Sequence, residues 1–299
     1  MDRLEAMSVL VSVVESGSLS AAGRKLGMPL PTVSRKISEL EARLNTRLLT
    51  RSTRSLVLTT AGAAYVDASR RILDEVGEAE RRASGAYAAP RGDLVVTAPV
   101  VFGRLHVLPV VAEFLAQWPE INIQLVLADR NLHLIDDHID IAVRIGALPE
   151  SALAATKVGS VRRVVCGSPA YFAAHGVPKR PEDLSALSAV TFHPLSSAEN
   201  WVFSDPKSKR ERRAPVRSRL SVNTAEAAID AAAAGVGVTR VLSYQVAQPV
   251  SDSRISIVLA EYEPEPAPVS LIHAGQGLTP LKVRMLLDFA APRLRARLA

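Results

Sequence analysis

Between Ser18 and Arg54 the chain reads SLSAAGRKLGMPLPTVSRKISELEARLNTRLLTRSTR, and the side chains there that could do chemistry are cationic or hydroxylic. Arg24, Lys25, Arg35, Lys36, Arg43, Arg47, Arg51 and Arg54 are interleaved with Thr32, Ser34 and Thr53. Guanidinium groups take phosphate oxygens or the edge of guanine in a bidentate fork, and small hydroxyls reach bases or phosphates beside them. That chemistry is recognition of duplex DNA, not bond making.

Two short helices joined by a tight turn would position these groups. The first opens at Ser18 or Ser20, whose hydroxyls cap free N–H groups, and buries Leu19, Ala22 and Leu26. Gly27 ends it in the left-handed conformation, and Pro29 and Pro31 stop its continuation and start the next helix near Pro31. Val33, Ile37, Leu40 and Leu44 then recur at helical spacing, leaving Thr32, Ser34, Arg35 and Lys36 on or near the exposed N-terminal half. Such a helix fits a major groove. An upstream helix with Leu4, Met7, Val11 and Val14 on one stripe supplies the third side of a core. Leu48 to Leu49 and Leu56 to Thr59 read as a two-stranded wing around Arg51, Thr53 and Arg54, which would reach phosphates or an adjacent minor groove.

At 299 residues the chain exceeds one such module and holds two or three units. Its 36 Lys plus Arg against 30 Asp plus Glu give a formal charge of +6, which suits a polyanion because the cations crowd the motif itself. One cysteine, Cys166, excludes an intramolecular disulfide or thiolate cluster and reads as a small buried hydrophobe. There is no basic-then-apolar leader and no uninterrupted apolar run of the ~20 residues a membrane span needs. The expectation is a cytoplasmic protein without a membrane partner.

From Thr60 to about Ala88 no proline occurs, and Ala61, Tyr65, Ala68, Ile72, Val76, Ala79 and Ala83 are spaced by threes and fours. This suits either a two-helix seam or one long helix packed on its own domain. The expected division is therefore 1–59 for the DNA-binding domain, 60–89 for a long helix and 90–299 for the remainder. Beyond Ala89–Gly92 strands alternate with helices: Leu94 to Ala98, Pro109 to Trp118, Ile121 to Leu127, Asp140 to Ile145, Arg162 to Val165 and Pro169 to His175. Ser221 to Val222 and Gly235 to Thr239 bracket an Ala-rich helix, Ala225 to Ala234, and a closing helix starts after Thr279 and Pro280. This is an α/β pattern with a sheet covered on both faces.

The segments GSLSAAGRKLG, PTVSRKISELEARL and TRLLTRSTRSLVLTTAG resemble the LysR-type transcriptional regulators nearly position by position. The similarity continues through PEINIQLVLADR, HIDIAVRIG, CGSPAYFAAHGVPKRPEDL, AAAAGVGV and LKVRMLLDFAAPRL, almost the whole chain. Leu30 departs from the Gln or Ser common there, so Pro31, Ser34 and Arg35 are the firmer base-contact candidates. The resemblance implies an all-α winged helix-turn-helix domain, a linker helix that dimerises, and an effector domain like a periplasmic solute-binding protein. Its subdomain I would take about 92–161 plus 267–299 and its subdomain II about 162–266. It implies promoter DNA, a small-molecule effector and a homodimer or homotetramer, with no cofactor and no catalytic role. A solute-binding protein or an enzyme on the same α/β halves is the competing reading; it lacks a secretion signal and a catalytic constellation.

In such sheets ligands bind at the carboxyl ends of strands against helix N-termini. Three places qualify: Thr97, Pro99, Val100, Val101 and Phe102 after the first strand; Arg144 to Gly146 at a strand end; and Asn223 with Thr224 at the start of the Ala-rich helix, faced by Phe192 and His193. Arg144 is equally an ordinary ion-pair residue, and Thr224 or Asn223 is by default a plain N-cap. Gly235-Val-Gly237 lacks the frame of a dinucleotide loop, and Ser168 lacks that of a nucleophile elbow. His133, Asp136, Asp137, His138 and Asp140 match no metal spacing, and Lys207 to Arg213 reads as a solvated hairpin turn.

Overall fold

The computed structural model describes residues 2–51, 56–83, 90–130, 134, 137–148, 153–192, 200–274 and 279–298, with no side chains for 51, 78 and 81–83. The chain divides into two compact units, Met1–Ala89 and Pro90–Ala299.

In the first unit α1 (Arg3–Glu15) starts at Asp2, whose carboxylate accepts from Leu4 N at 3.0 Å. Helix α2 (Leu19–Leu26) starts at Ser18, whose Oγ accepts from Ala21 N at 3.1 Å, and ends at Gly27 with φ 64°. Helix α3 (Leu30–Leu44) has Pro29 at its N-cap and Asn45 in the left-handed conformation at its end. Strands β1 (Leu49–Arg51) and β2 (Leu56–Leu58) pair antiparallel, Leu49 opposite Leu58, and lead into α4 (Thr60–Ala83).

The three short helices close on Val9, Leu10, Val13, Ala22, Val33, Ile37, Leu40 and Val66. The face of α1 differs from the expected stripe: Ala6, Val9, Leu10 and Val13 are buried, whereas Leu4 is 37% exposed. Apolar residues surround most of α1, so periodicity does not choose between adjacent stripes, and small Ala6 admits the closer helix approach. Leu44 is also exposed, one turn past the end of the core contact. Gly62 allows α4 to meet the wing, since a Cβ there would stand 2.0 Å from Leu48 O.

The second unit contains two five-stranded sheets. In chain order it runs β3 (Gly92–Ala98), α5 (Val100–Phe102), a π-helical turn (Gly103–Val107), α6 (Leu108–Gln117), β4 (Ile121–Leu127), β5 (Ile141–Ile145) and β6 (Leu153–Val161). It continues through β7 (Arg163–Gly167), α7 (Pro169–His175), β8 (Ser188–Phe192), β9 (Asn200–Ser204), β10 (Glu211–Pro215), β11 (Arg217–Val222), α8 (Ala225–Ala233) and β12 (Val238–Leu242). The last elements are α9 (Ala247–Ser251), β13 (Ser256–Val258), β14 (Ala267–Ala274) and α10 (Leu281–Leu298).

Lobe I is the sheet β4-β3-β5-β14-β6 and lobe II the sheet β11-β8-β12-β7-β13, so the chain crosses between lobes after β6 and again before β14. Lobe I packs Leu94, Val96, Ile141 and Leu271 of its sheet against Phe114 of α6 and Leu286, Phe289 and Leu294 of α10. In lobe II, α8 covers one face with Ala225, Ala228, Ile229 and Ala232. The other face carries α7 and the hairpin β9–β10, with Phe172, Trp201 and Phe203 in the core. Residues Val100–Gln117 are long and apolar enough to cross a bilayer by length and composition alone. Here they are a core helix, with Phe102, Val110 and Phe114 buried and Arg104 and Glu113 in ion pairs.

Candidate functional site

The first half of α3 carries the groups expected to meet DNA. Pro31 is exposed, Thr32 and Ser34 are half-buried, and Arg35 is 67% exposed, paired to Glu39 one turn on at 3.2 Å. Exposed pairs of this kind contribute about 1 kcal/mol or less, so Arg35 can exchange Glu39 for a phosphate or a base edge. Lys36 is a correction to the expected surface. Its side chain is only 13% exposed and its Nζ pairs with Glu5 of α1 at 2.5 Å, because its position turns it toward the neighbouring helix. Lys36 braces α3. The side chain of Arg51, and Thr53 and Arg54 entirely, lie outside the described residues.

One residue with a role here carried no sequence signal of its own. Glu41 Oε1 accepts from Leu48 N at 2.8 Å and Leu49 N at 3.0 Å, tying α3 to the wing. Leu30, 46% exposed in the first turn of α3, adds an apolar group beside Pro31.

In the second unit several expected ligand donors are already committed. Thr97 is fully buried and its Oγ1 donates to Val126 O at 2.8 Å, so the hydroxyl is corrected from ligand donor to inter-strand tie. Val101 and Phe102 are corrected likewise: they are 4% and 0% exposed, and Phe102 packs both in the core of lobe I and against Tyr244. Pro99 and Val100 stay half-buried at the helix start, where Val100 N donates to Asp129 Oδ1 at 3.0 Å. A carboxylate thus already occupies the helix N-terminus that was to attract an anion.

Arg144 is half-buried and burial disfavours its charge; Gly146 follows with φ 117°. Thr224 caps α8, its Oγ1 accepting from Ala227 N at 3.2 Å, while Asn223 is exposed. His193 lies outside the described residues, as do His133 and Asp136 of the discounted acidic cluster. Asp140 Oδ2 accepts from Val95 N at 2.7 Å, a strand-joining role. Cys166 is fully buried and burial pushes its thiol up to about 12, so it has no thiolate to react or sense with.

The lobes meet through groups that the local sequence pattern does not reveal. Arg104 Nη2 of the π-helical turn pairs with Glu226 Oε1 of α8 at 3.0 Å. Phe102 meets Tyr244 of lobe II edge-on at 5.3 Å, and His106 packs on Phe102 at 4.7 Å. Both His106 ring nitrogens are buried without a hydrogen-bond partner among the described residues, and burial, then Arg297, hold the ring below the usual histidine range and so neutral near pH 7. At the crossing strands Arg162 Nη1 donates to both Glu263 oxygens at 3.1 Å, and Ser243 N donates to Arg162 O at 2.9 Å.

Comparison with known proteins places this geometry in context. Residues 4–63 match the family described as bacterial regulatory helix-turn-helix protein, lysR family, and residues 88–295 match the LysR substrate binding domain. An HTH-type transcriptional regulator of Xanthomonas campestris pv. campestris is 37% identical over 290 residues, covering 96% of this chain and 84% of that protein. The transcriptional activator AaeR of Escherichia coli K12 is 31% identical over 288 residues, covering 96% and 93%. Among solved structures, CrgA of Neisseria meningitidis, a LysR-type transcriptional regulator, aligns with a TM-score of 0.61 at 30% identity, covering 97% of this chain and 98% of that one.

Proposed function

We propose, from the premise that the chain belongs to the LysR family of transcriptional regulators, how its residues divide the work of that family. The protein is a DNA-binding regulator with an effector-binding domain and is not an enzyme. The finer reading is that Arg35 and Ser34 contact base edges or nearby phosphates, while Pro31, Thr32 and Leu30 pack at the groove, Leu30 suiting a thymine methyl. Arg51, Thr53 and Arg54 of the wing hold the backbone, and that contact carries no sequence information. The observation that supports this is the exposed edge formed by Pro31 and Arg35 over a fully buried Val33, Ile37 and Leu40.

Two copies are needed to address two half-sites. On α4 the packing within the unit uses Gly62, Tyr65, Val66 and Ser69, which leaves Ala61, Ile72 and Ala79 exposed and Ala68 and Val76 half-buried. That stripe is the seam of a homodimer, on which a homotetramer would be built, and the work is done in the cytoplasm, where promoter DNA is. The small effector sits between the lobes and changes DNA affinity or bending by altering their contact. Titrating metabolites into protein bound at its own promoter tests this: a change in footprint or bend is expected with the cognate compound. No change with any member of a broad metabolite set would contradict the effector role, and an Ile72→Glu variant that still sediments as the wild-type oligomer would contradict the seam.

A further inference from the structure

In lobe II, Arg240 of β12 lies opposite Val165 of β7, and Leu242 opposite Arg163. Residues opposed in an antiparallel ladder share a face, so Arg163 and Arg240 project from the same side, the side covered by β9 and β10. Arg240 is 8% exposed. Its Nη1 donates to Val202 O at 3.0 Å and its guanidinium lies 5.4 Å from the Trp201 ring. Arg163 is half-buried, and neither arginine is paired with a carboxylate among the described residues.

Three neighbouring acids are engaged elsewhere, and Glu265, which lines a cleft with Val202 and Glu263, forms no ion pair with either arginine. Arg162, the residue before Arg163, holds Glu263, and Arg212 of β10 holds both Asp205 and Glu182. The more exposed arginines therefore have counter-ions while the most buried one has a carbonyl and an indole face. Burial, and then the cation of Arg163, both work against the charge on Arg240. A guanidinium carries five N–H donors, and Arg240 gives a protein acceptor only one among the described residues. Buried charge is ordinarily paired, and two like charges sharing a sheet face raise that demand.

We propose that Arg163 and Arg240 form an oxyanion subsite in lobe II that takes a carboxylate or phosphate-type group. The planar fork of each side chain suits either oxyanion. The subsite includes none of the residues assigned above to the effector, and it stands whether or not those residues bind one.

Ligand-observed fluorine NMR on the full-length protein tests it, with trifluoroacetate as the carboxylate probe, monofluorophosphate as the phosphate probe and the quaternary trimethyl(trifluoroethyl)ammonium as the cation control, at fixed ionic strength. Saturable binding of at least one anion and none of the cation is expected, and which anion binds identifies the ligand type. Arg163→Gln, at a half-exposed position and checked for an unchanged melting profile, weakens that binding by about tenfold to a hundredfold. Arg240→Lys keeps the charge without the fork and gives a smaller loss. Promoter DNA binding by Arg163→Gln stays at the wild-type level, which separates this test from that of the family reading. Absence of saturable binding by both anions, or binding unchanged in both variants, overturns the proposal.

Discussion

Helices α3 and α5 begin with nearly the same backbone and are used in opposite ways. Pro29 stands at the N-cap of α3 with φ −58° and ψ 141°, and Pro99 at that of α5 with φ −56° and ψ 143°; neither helix has a side-chain cap from that residue or an acidic group in its first turn. At α3 the residues that follow, Leu30 and Pro31, are exposed, and Arg35 stands one turn further along the helix. At α5 the following residues turn inward, and Asp129, supplied from the end of β4, takes the Val100 N–H. The same local signal leaves an open helix start in one unit and a sealed one in the other. What decides is the partner that the distant chain delivers.

The sharpest way to break this contrast is at Phe102. If it is core, Phe102→Ala costs about 3–5 kcal/mol in urea unfolding of the second unit. A loss below about 1 kcal/mol, with altered effector response, would return Phe102 to the ligand set. Next is Arg35→Ala, which should cost about 1–3 kcal/mol on operator DNA by competition binding and leave fold stability within about 0.5 kcal/mol. Equal losses on operator and random duplex would remove it from base readout.

Smaller effects separate the two helix starts further. Ser18→Ala and Asp129→Ala should each cost about 1 kcal/mol of stability in thermal melts, since each removes an acceptor from a helix-start N–H. Ser18→Ala should also weaken DNA binding, because α2 sets the pose of α3. The smallest effect is expected at Lys36. Lys36→Ala should cost about 1 kcal/mol or less and leave the salt dependence of DNA binding unchanged, whereas a lost phosphate contact lowers that slope by about one.

Much of the first unit was legible because its signals are local. Ser18 caps α2 three residues ahead, Gly27 ends it, and the 33, 37, 40 spacing defines the buried side of α3. Lys36 was misread because its partner Glu5 is 31 residues away, and α1 because its apolar residues leave no polar side to orient it. In the second unit the alternation of strands and helices was readable, and so was a cap at Asn223 or Thr224, which falls to Thr224. The commitments of Thr97 to Val126 and of Val100 to Asp129, each across 29 residues, follow from the register of β3 on β4, which no local pattern encodes. Arg104–Glu226, 122 residues apart, and Arg162–Glu263, 101 apart, are further products of topology.

The account depends most on α3 selecting sequence and not only charge. Fluorescence anisotropy of the full-length protein on its upstream intergenic duplex and on a shuffled duplex of equal length, at physiological ionic strength, measures this directly. The prediction is a preference of about 10³-fold or more for the intergenic duplex, reduced in Arg35→Ala by about 1–3 kcal/mol. Equal affinity for the two duplexes, unchanged by that substitution, would contradict it.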